Sequence, residues 1–364
     1  MLAASMSNDG SSPLPPTYTA WMTQLLDGPI PTEPRATCHD CAMCRPDAGL
    51  VRFDPQVKCC TYMPALPNFL VGQALADEDP GGKTGRESLR ARIASKLGVT
   101  PLGLGRTPSY ALVYRNSAGF GRSMGLRCPH YVDDGGLCGI WQHRNAVCAT
   151  WFCKHVRGQT GSLFWQAVRE LLSVVENELA VWCLLQVGVK ASALERAMAT
   201  RTESTALTAT DVDGRSDAAT YAATWGPWAG REEELYEACA KLVAGIDFAE
   251  VLRRCGPEAG FRVEVLRAAW QRLTSRRPPA NLRPGQLTVV GFGPAACRVV
   301  TYSPNDPFEM HRVLFAALQQ FDGRPTQAAV EAIERDEKVT LGEDLLMQMV
   351  DFGVLVASPS GEGA

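Results

Sequence analysis

The residues best suited to chemistry are cysteines, and most of them fall in one third of the chain. Nine of the 13 cysteines and four of the five histidines lie within residues 38–155 of this 364-residue sequence. The group begins with Cys38-x2-Cys41-x2-Cys44 and ends with Cys148-x4-Cys153. Thiolates two residues apart can converge on one ion or cluster, because the intervening turn brings both sulfurs to the same side. This spacing predicts a metal site.

The identity of the metal stays open between an iron–sulfur cluster and zinc. Ferredoxin-type proteins use a C-x2-C-x2-C run to supply three thiolates to one cluster, and a Cys-Pro elsewhere supplies another, a part that Cys128-Pro129 could take. The adjacent Cys59 and Cys60 would diverge from an extended backbone and could serve two neighbouring sites. All-thiolate ligation suits zinc equally well. The predicted ligands are Cys38, Cys41, Cys44, Cys59, Cys60, Cys128, Cys138, Cys148 and Cys153.

Residues beside these ligands are expected to play supporting parts. Nine thiols are enough for two four-thiolate sites, so each nearby histidine is expected beside a ligand or at the surface. Arg144 could pair with a thiolate-rich cluster, or form an ordinary salt bridge. The isolated cysteines are expected to pack as small apolar side chains. These supporting residues are His39, His130, His143 and His155, and the packing cysteines are Cys183, Cys239, Cys255 and Cys297.

Four motifs follow one another in residues 36–156: the C-x2-C-x2-C run, the Cys59-Cys60 pair, Cys128-Pro-His-Tyr131 and the segment Gly136-Leu-Cys138-Gly-Ile-Trp-x2-Arg144-x3-Cys148-x4-Cys153. In these motifs and their order, the chain resembles the YkgJ-type cysteine-cluster family. That family is described as zinc- or iron-chelating and includes the cysteine-rich part of flagellin lysine N-methylases. The chain departs from the family pattern at 45–58, which is inserted before the cysteine pair, and at Asn145, where proline is common. The resemblance implies a metal site without naming its chemistry.

Length and composition indicate an ordinary globular chain of two or three domains, with 46% apolar and 21% charged residues. The first 16 residues have neither a basic segment nor an apolar stretch, which predicts a disordered leader and no export. The longest apolar run, 180–189, is too short to cross a bilayer. A cytoplasmic location follows as the expectation, where clustered cysteines favour metal ligation over disulfides.

The predicted fold class is mostly α with small β elements, an α+β arrangement. A leader and short helix (1–35) precede a loop-rich, metal-bound cysteine domain (36–160). A helical region (161–280) follows and contains a mobile segment at 200–222. A winged-helix-like domain (286–358) completes the order.

Periodicity and capping patterns predict the individual elements. Short helices are expected at 18–26 and 84–97, a strand at 110–115, and a long helix at 162–187. Further helices are expected at 231–244, 247–254 and 261–275. The last segment should contain strands at 287–292, 297–302 and 354–357 and helices at 307–321, 326–336 and 342–351, with capping boxes at Asp306-x2-Glu309 and Thr340-x2-Glu343.

The charge of the last segment bears on partners. Residues 286–364 contain 5 basic and 11 acidic side chains, which makes nucleic acid an unlikely partner and a protein or peptide partner the better expectation. Three hypotheses follow: a metal-binding protein with a redox or accessory role, a metal-dependent protein- or peptide-modifying enzyme, and a redox-sensing regulator. No cofactor-binding or substrate motif identifies a reaction, so catalytic residues are unassigned.

Overall fold

The computed structural model describes residues 12–46, 49–116, 118–201 and 216–358, and these form a mostly α fold with small antiparallel sheets. The expected α+β class is therefore correct at this level. Two large apolar cores organise the chain, one drawn from residues 14–273 and one from residues 282–355. The first core runs through both the cysteine-rich segment and the helical middle.

Among the residues that the structure describes, ten α-helices belong to the first core region. They are α1 (Pro16–Leu25), α2 (Asn68–Ala76), α3 (Lys83–Ser95), α4 (Pro108–Asn116), α5 (Ala146–Thr150), α6 (Gly158–Gln186), α7 (Ala191–Arg201), α8 (Ala218–Trp225), α9 (Glu232–Val243) and α10 (Phe248–Thr274). The long α6 lies at the centre because apolar side chains recur at helical spacing along it, and Leu171, Val175 and Leu179 are fully buried. It packs against α5, α9 and α10.

Short strands support the cysteine-rich segment. They are β1 (Leu66–Pro67), β2 (Val99–Thr100), β3 (Gly103–Leu104), β4 (Tyr131–Val132) and β5 (Leu137–Cys138). The first three form one antiparallel sheet in the order β1-β3-β2, and β4 pairs with β5 in a hairpin. Loops connect these strands and the helices α2, α3, α4 and α5 of the same segment.

The C-terminal unit, residues 282–358, has its own strands and helices. These are β6 (Leu282–Pro284), β7 (Thr288–Phe292), β8 (Ala296–Val300), β9 (Phe308–His311), α11 (Arg312–Ala317), α12 (Thr326–Glu337), α13 (Glu343–Asp351) and β10 (Leu355–Ala357). The sheet β7-β8-β9 is antiparallel, and β10 pairs with β6. Both predicted strands that begin this segment, and the closing strand, are confirmed.

Several expected elements are wrong, each for a physical reason. Residues 110–115 lie in α4 rather than a strand, because Pro108 begins a helix whose short apolar run has no diagnostic period. The helix expected from 307 begins only at Arg312, after β9 has paired with β8. Neither expected capping box forms, because Asp306 bonds to distant residues and α13 begins after Gly342 without a side-chain cap.

The two helices expected at 247–254 and 261–275 are confirmed, because α10 consists of two helices joined at a kink, where Gly256 is non-helical just before Pro257. Two differences from the expected helices remain. The mobile segment expected at 200–222 contains part of the helix α8, and its residues 202–215 lie outside the described residues, as do the first 11 residues of the leader. The buried α2 was not anticipated. Its apolar residues occupy nearly all sides, which removes the amphipathic period.

In the ranges that the structure describes, no helix combines the length and the apolar character needed to cross a membrane.

Candidate metal centre

Three loops and the hairpin bring the predicted ligands into one region. The backbone amide of Cys44 donates to the Cys41 carbonyl at 2.9 Å, which closes the first cysteine turn. The Cys128 amide donates to the Cys60 carbonyl at 2.7 Å and so joins the third loop to the cysteine pair. Cys138 lies on β5, opposite Tyr131 of β4. Cys60 and Cys128, which are 68 positions apart, therefore meet.

The last two predicted ligands are positioned by α5. Asn145 caps this helix, and its side-chain oxygen accepts from the Cys148 amide at 3.0 Å. Cys153 follows three residues after the helix ends. Asn145 thus has a structural role as the N-cap of α5.

One cavity is lined by six of the nine predicted ligands. Its volume of about 40 Å³ is enough for a water or an ion, and far below that of a site for a drug-sized molecule. Phe53 is buried at its wall, and Trp151 is partly exposed there. The lining cysteines are Cys38, Cys41, Cys59, Cys60, Cys138 and Cys153.

The other three predicted ligands surround this cavity without lining it. Cys44 is hydrogen-bonded to the Cys41 side chain, and Cys128 and Cys148 both interact electrostatically with Cys138. Considering only residues that the structure describes, no group of three or more Cys, His, Asp or Glu side chains is arranged to hold a metal ion. Ligation would therefore require the thiols to turn toward a common point.

Burial controls the protonation of these thiols. Removal from water raises the pKa of Cys38 and of Cys138 to about 11, and that of Cys153 to about 12. The pKa of Cys59 is also raised, chiefly by its hydrogen bond with Cys60 and then by burial. Each of these thiols is neutral at pH 7, so a metal would have to displace their protons.

A buried guanidinium lies among the sulfurs. Arg144 is only 7% exposed, and it donates to three carbonyls, those of Trp141, Cys148 and Pro13, at 3.0, 3.1 and 2.7 Å. Its guanidinium carbon lies 3.4 Å from the centre of the Trp141 ring. Arg144 forms no ion pair with a carboxylate within the described part of the chain. The alternative expectation, that Arg144 forms an ordinary salt bridge, is therefore wrong for the described residues. Burial lowers the pKa of Arg144, and the thiols whose ionisation would act against that shift are Cys138, Cys38, Cys148 and Cys59.

A second buried cation, Lys58, lies at the cavity wall. Its ammonium donates to the carbonyls of Cys38 at 2.7 Å and Gly136 at 2.8 Å. A side chain at position 136 would meet this ammonium at 2.7 Å, and φ is +61° there, so glycine is required. Lys58 lowers the pKa of Cys38 and Cys44, in opposition to burial. Like Arg144, Lys58 forms no ion pair with a carboxylate among the described residues.

These two cations fit a sulfur site that carries negative charge. A buried cation with only neutral partners costs several kcal/mol in desolvation, which nearby anions offset. Neutral thiols supply no such anion, whereas metal-bound thiolates do. The sequence singled out Arg144 but missed Lys58, whose signal was only its position next to the Cys59-Cys60 pair.

The four histidines occupy different environments. His130 is buried, its pKa falls to about 3 through desolvation, and its Nδ1 lies 2.8 Å from the Ser88 hydroxyl. His143 Nε2 lies 2.8 Å from Asp77 Oδ2. His155 is buried beside the C-terminal unit, and His39 is exposed. The isolated cysteines are buried in the cores: Cys183, Cys239 and Cys255 in the first and Cys297 in the second.

Comparisons of this chain with protein-family models, with curated proteins and with solved structures found no match.

Proposed function

We propose that this chain is a metal-binding protein in which cysteines from residues 38–153 hold an iron–sulfur cluster or zinc. The observation that carries the proposal is the pair of buried cations, Lys58 and Arg144, placed against thiols and bonded otherwise to neutral carbonyls. Their charge is compensated if several sulfurs are thiolates, the form in which cysteine binds metal.

The six cysteines that line the cavity are the first candidates for ligands, and Cys44, Cys128 and Cys148 could serve the same site or a neighbouring one. An iron–sulfur cluster would supply electron transfer, and zinc would supply structural cross-linking. In either case the chain does three things around the metal. It offsets thiolate charge with two cations, limits water with Phe53 and Trp151, and orients the last ligands through the Asn145 cap.

The proposal also includes a family resemblance, a cytoplasmic location and a role for the C-terminal segment, each of which was expected from the sequence. The likeness to the YkgJ-type family supports a metal-chelating role, and a reducing cytoplasm suits the thirteen cysteines, all of which are free thiols. Residues 286–358 would act as a winged-helix-like module that takes a protein or peptide partner, because their surface is acidic.

The test is anaerobic purification followed by metal analysis and an absorption spectrum. Broad visible absorption with bound iron would identify an iron–sulfur cluster, and a colourless protein with stoichiometric zinc would identify the alternative. Cys41→Ser and Cys128→Ser should lose metal and solubility together, since coordination can contribute on the order of 10 kcal/mol to folding.

Cys297→Ser is the matched control, because Cys297 is a buried cysteine in the core of the C-terminal unit. It should keep the metal of the unaltered protein. Full metal content in both Cys41→Ser and Cys128→Ser would refute the proposal.

A second candidate, a metal-dependent enzyme that modifies a protein or peptide, is favoured by a cleft next to the cysteine cavity. This open cleft has a volume of about 600 Å³, within the range of small-molecule sites, and shares Lys58 and Gly136 with the cavity. Mass spectrometry of co-expressed candidate substrates would test it: a cysteine-dependent mass shift supports an enzyme, and no shift leaves metal binding alone.

A further inference from the structure

One carboxylate of the C-terminal unit reaches both ends of the cysteine-rich segment. Asp306 lies between β8 and β9, and its side chain is fully buried. Its Oδ1 accepts from the Arg35 guanidinium at 2.8 Å, and its Oδ2 accepts from the His155 backbone amide at 3.1 Å. Arg35 precedes the first predicted ligand by three residues, and His155 follows the last by two.

Further bonds tie the same two ends together around this carboxylate. Arg35 also donates to the His155 carbonyl at 3.0 Å, so the two segments are joined directly as well as through Asp306. The Lys154 ammonium donates to the Asn305 carbonyl at 2.8 Å and lies 4.0 Å from Asp306 Oδ1. Tyr302 donates its hydroxyl proton to Asp306 Oδ2 at 2.5 Å.

Two cations therefore surround one buried anion, and the chain positions that they occupy flank Cys38 and Cys153. Both of these cysteines line the cavity. Because the two ends are about 120 residues apart in sequence, their approach costs conformational entropy that these contacts offset. The Asp306 side chain is fully buried, whereas the Arg35 side chain is 44% exposed. Charge-assisted hydrogen bonds to the buried carboxylate have a defined geometry, and a buried polar group left without its partners is destabilising.

We propose that Asp306 is a positioning residue for the metal centre, and that docking of the C-terminal unit and metal occupancy stabilise each other. The inference rests on the proposed metal binding. Docking places Cys38 and Cys153 together before metal arrives, and bound metal in turn holds Arg35 and the 154–155 segment where Asp306 can bind them. Such coupling is reciprocal by thermodynamic linkage. A partner that displaced the C-terminal unit would accordingly weaken metal binding.

The experiment uses the full-length chain and measures its metal affinity by equilibrium competition with a chelator of known affinity. Asp306→Asn should bind the metal more weakly by about tenfold or more, within the usual range of coupling between sites. Glu309→Gln is the matched control, because it also converts a carboxylate to an amide in this unit but breaks an exposed pair with Arg298. It should bind the metal with the unaltered affinity.

A second measurement needs no variant. Hydrogen exchange of the unaltered protein should speed up in residues 302–311 when the metal is removed, while α12, in the same unit, keeps its protection. Equal metal affinities for Asp306→Asn and the unaltered protein would overturn the coupling while leaving metal binding intact. Hydrogen exchange in residues 302–311 that does not change when the metal is removed would do the same. If the unaltered protein binds no metal, the proposed function fails first and the inference fails with it.

Discussion

Replacement of Arg144 by methionine separates a metal-bound thiolate site from a cluster of neutral thiols. Methionine retains much of the side-chain volume and removes the charge. In both metal-free and metal-loaded protein the variant leaves three carbonyls without their donor, at about 1–3 kcal/mol each. That loss is common to the two states, so it cancels when they are compared.

What does not cancel is the attraction between the guanidinium and negative sulfur. At an effective dielectric constant of about 20, one cation and one anion attract by about 4 kcal/mol at a separation of about 4 Å and by ~2 kcal/mol at twice that separation. Four sulfurs act on Arg144, namely those of Cys138, Cys38, Cys148 and Cys59. A bound metal neutralises part of their charge, so we count one net negative charge as the lower bound. Metal affinity should then fall by about 30-fold, the equivalent of ~2 kcal/mol.

The assay is competition with a chelator of known affinity, combined with urea unfolding of the loaded and unloaded protein. Arg144→Lys keeps the charge and should retain most of the affinity. Arg262→Met is the matched control, because it removes a guanidinium that pairs with the carboxylate of Glu170 instead of facing the sulfurs that act on Arg144. Equal affinity in Arg144→Met and the unaltered protein would refute the electrostatic argument, because the cation would then have only a structural role.

Two further predictions concern stability. Gly85→Ala should lower the free energy of unfolding by about 1–3 kcal/mol, because the new Cβ would lie 1.9 Å from the Gly139 carbonyl oxygen. Gly260→Ala, where the helix faces open space, should raise it by about 0.5–1 kcal/mol. Thermal unfolding compares the two variants, and an unchanged midpoint for Gly85→Ala would contradict the close packing. Burial raises the pKa of the Glu33 carboxyl above its ordinary value. The stabilisation that this carboxyl gives to the folded protein is therefore fully present below the ordinary glutamate pKa, and it is lost as pH rises through the raised pKa. The stability advantage of the unaltered protein over Glu33→Gln, from urea unfolding, should therefore shrink as pH increases, and an advantage that grows with pH would show the opposite shift.

Local pattern was sufficient for the elements whose signal is self-contained. The long α6 could be predicted because its apolar residues repeat at helical spacing over many turns, and β7 and β8 because short strand-forming runs are bounded by glycine and proline. The dense group of cysteines could likewise be recognised by counting residues in the sequence. In contrast, α2 has no amphipathic period because it is buried on nearly every side, and β9 exists only because β8 is there to pair with it.

The sequence by itself determined which residue types could bind metal, because the cysteines and their C-x2-C spacing are fixed by the order of residues along the chain. Only the tertiary structure decided which sulfurs share a cavity and which charges face them. Lys58 reaches the carbonyl of Gly136, Arg144 that of Pro13, and Asp306 the guanidinium of Arg35. These contacts join residues 78, 131 and 271 positions apart, and no local preference encodes such distances. They arise because burial in a shared core leaves each charge only those partners that the fold brings to it.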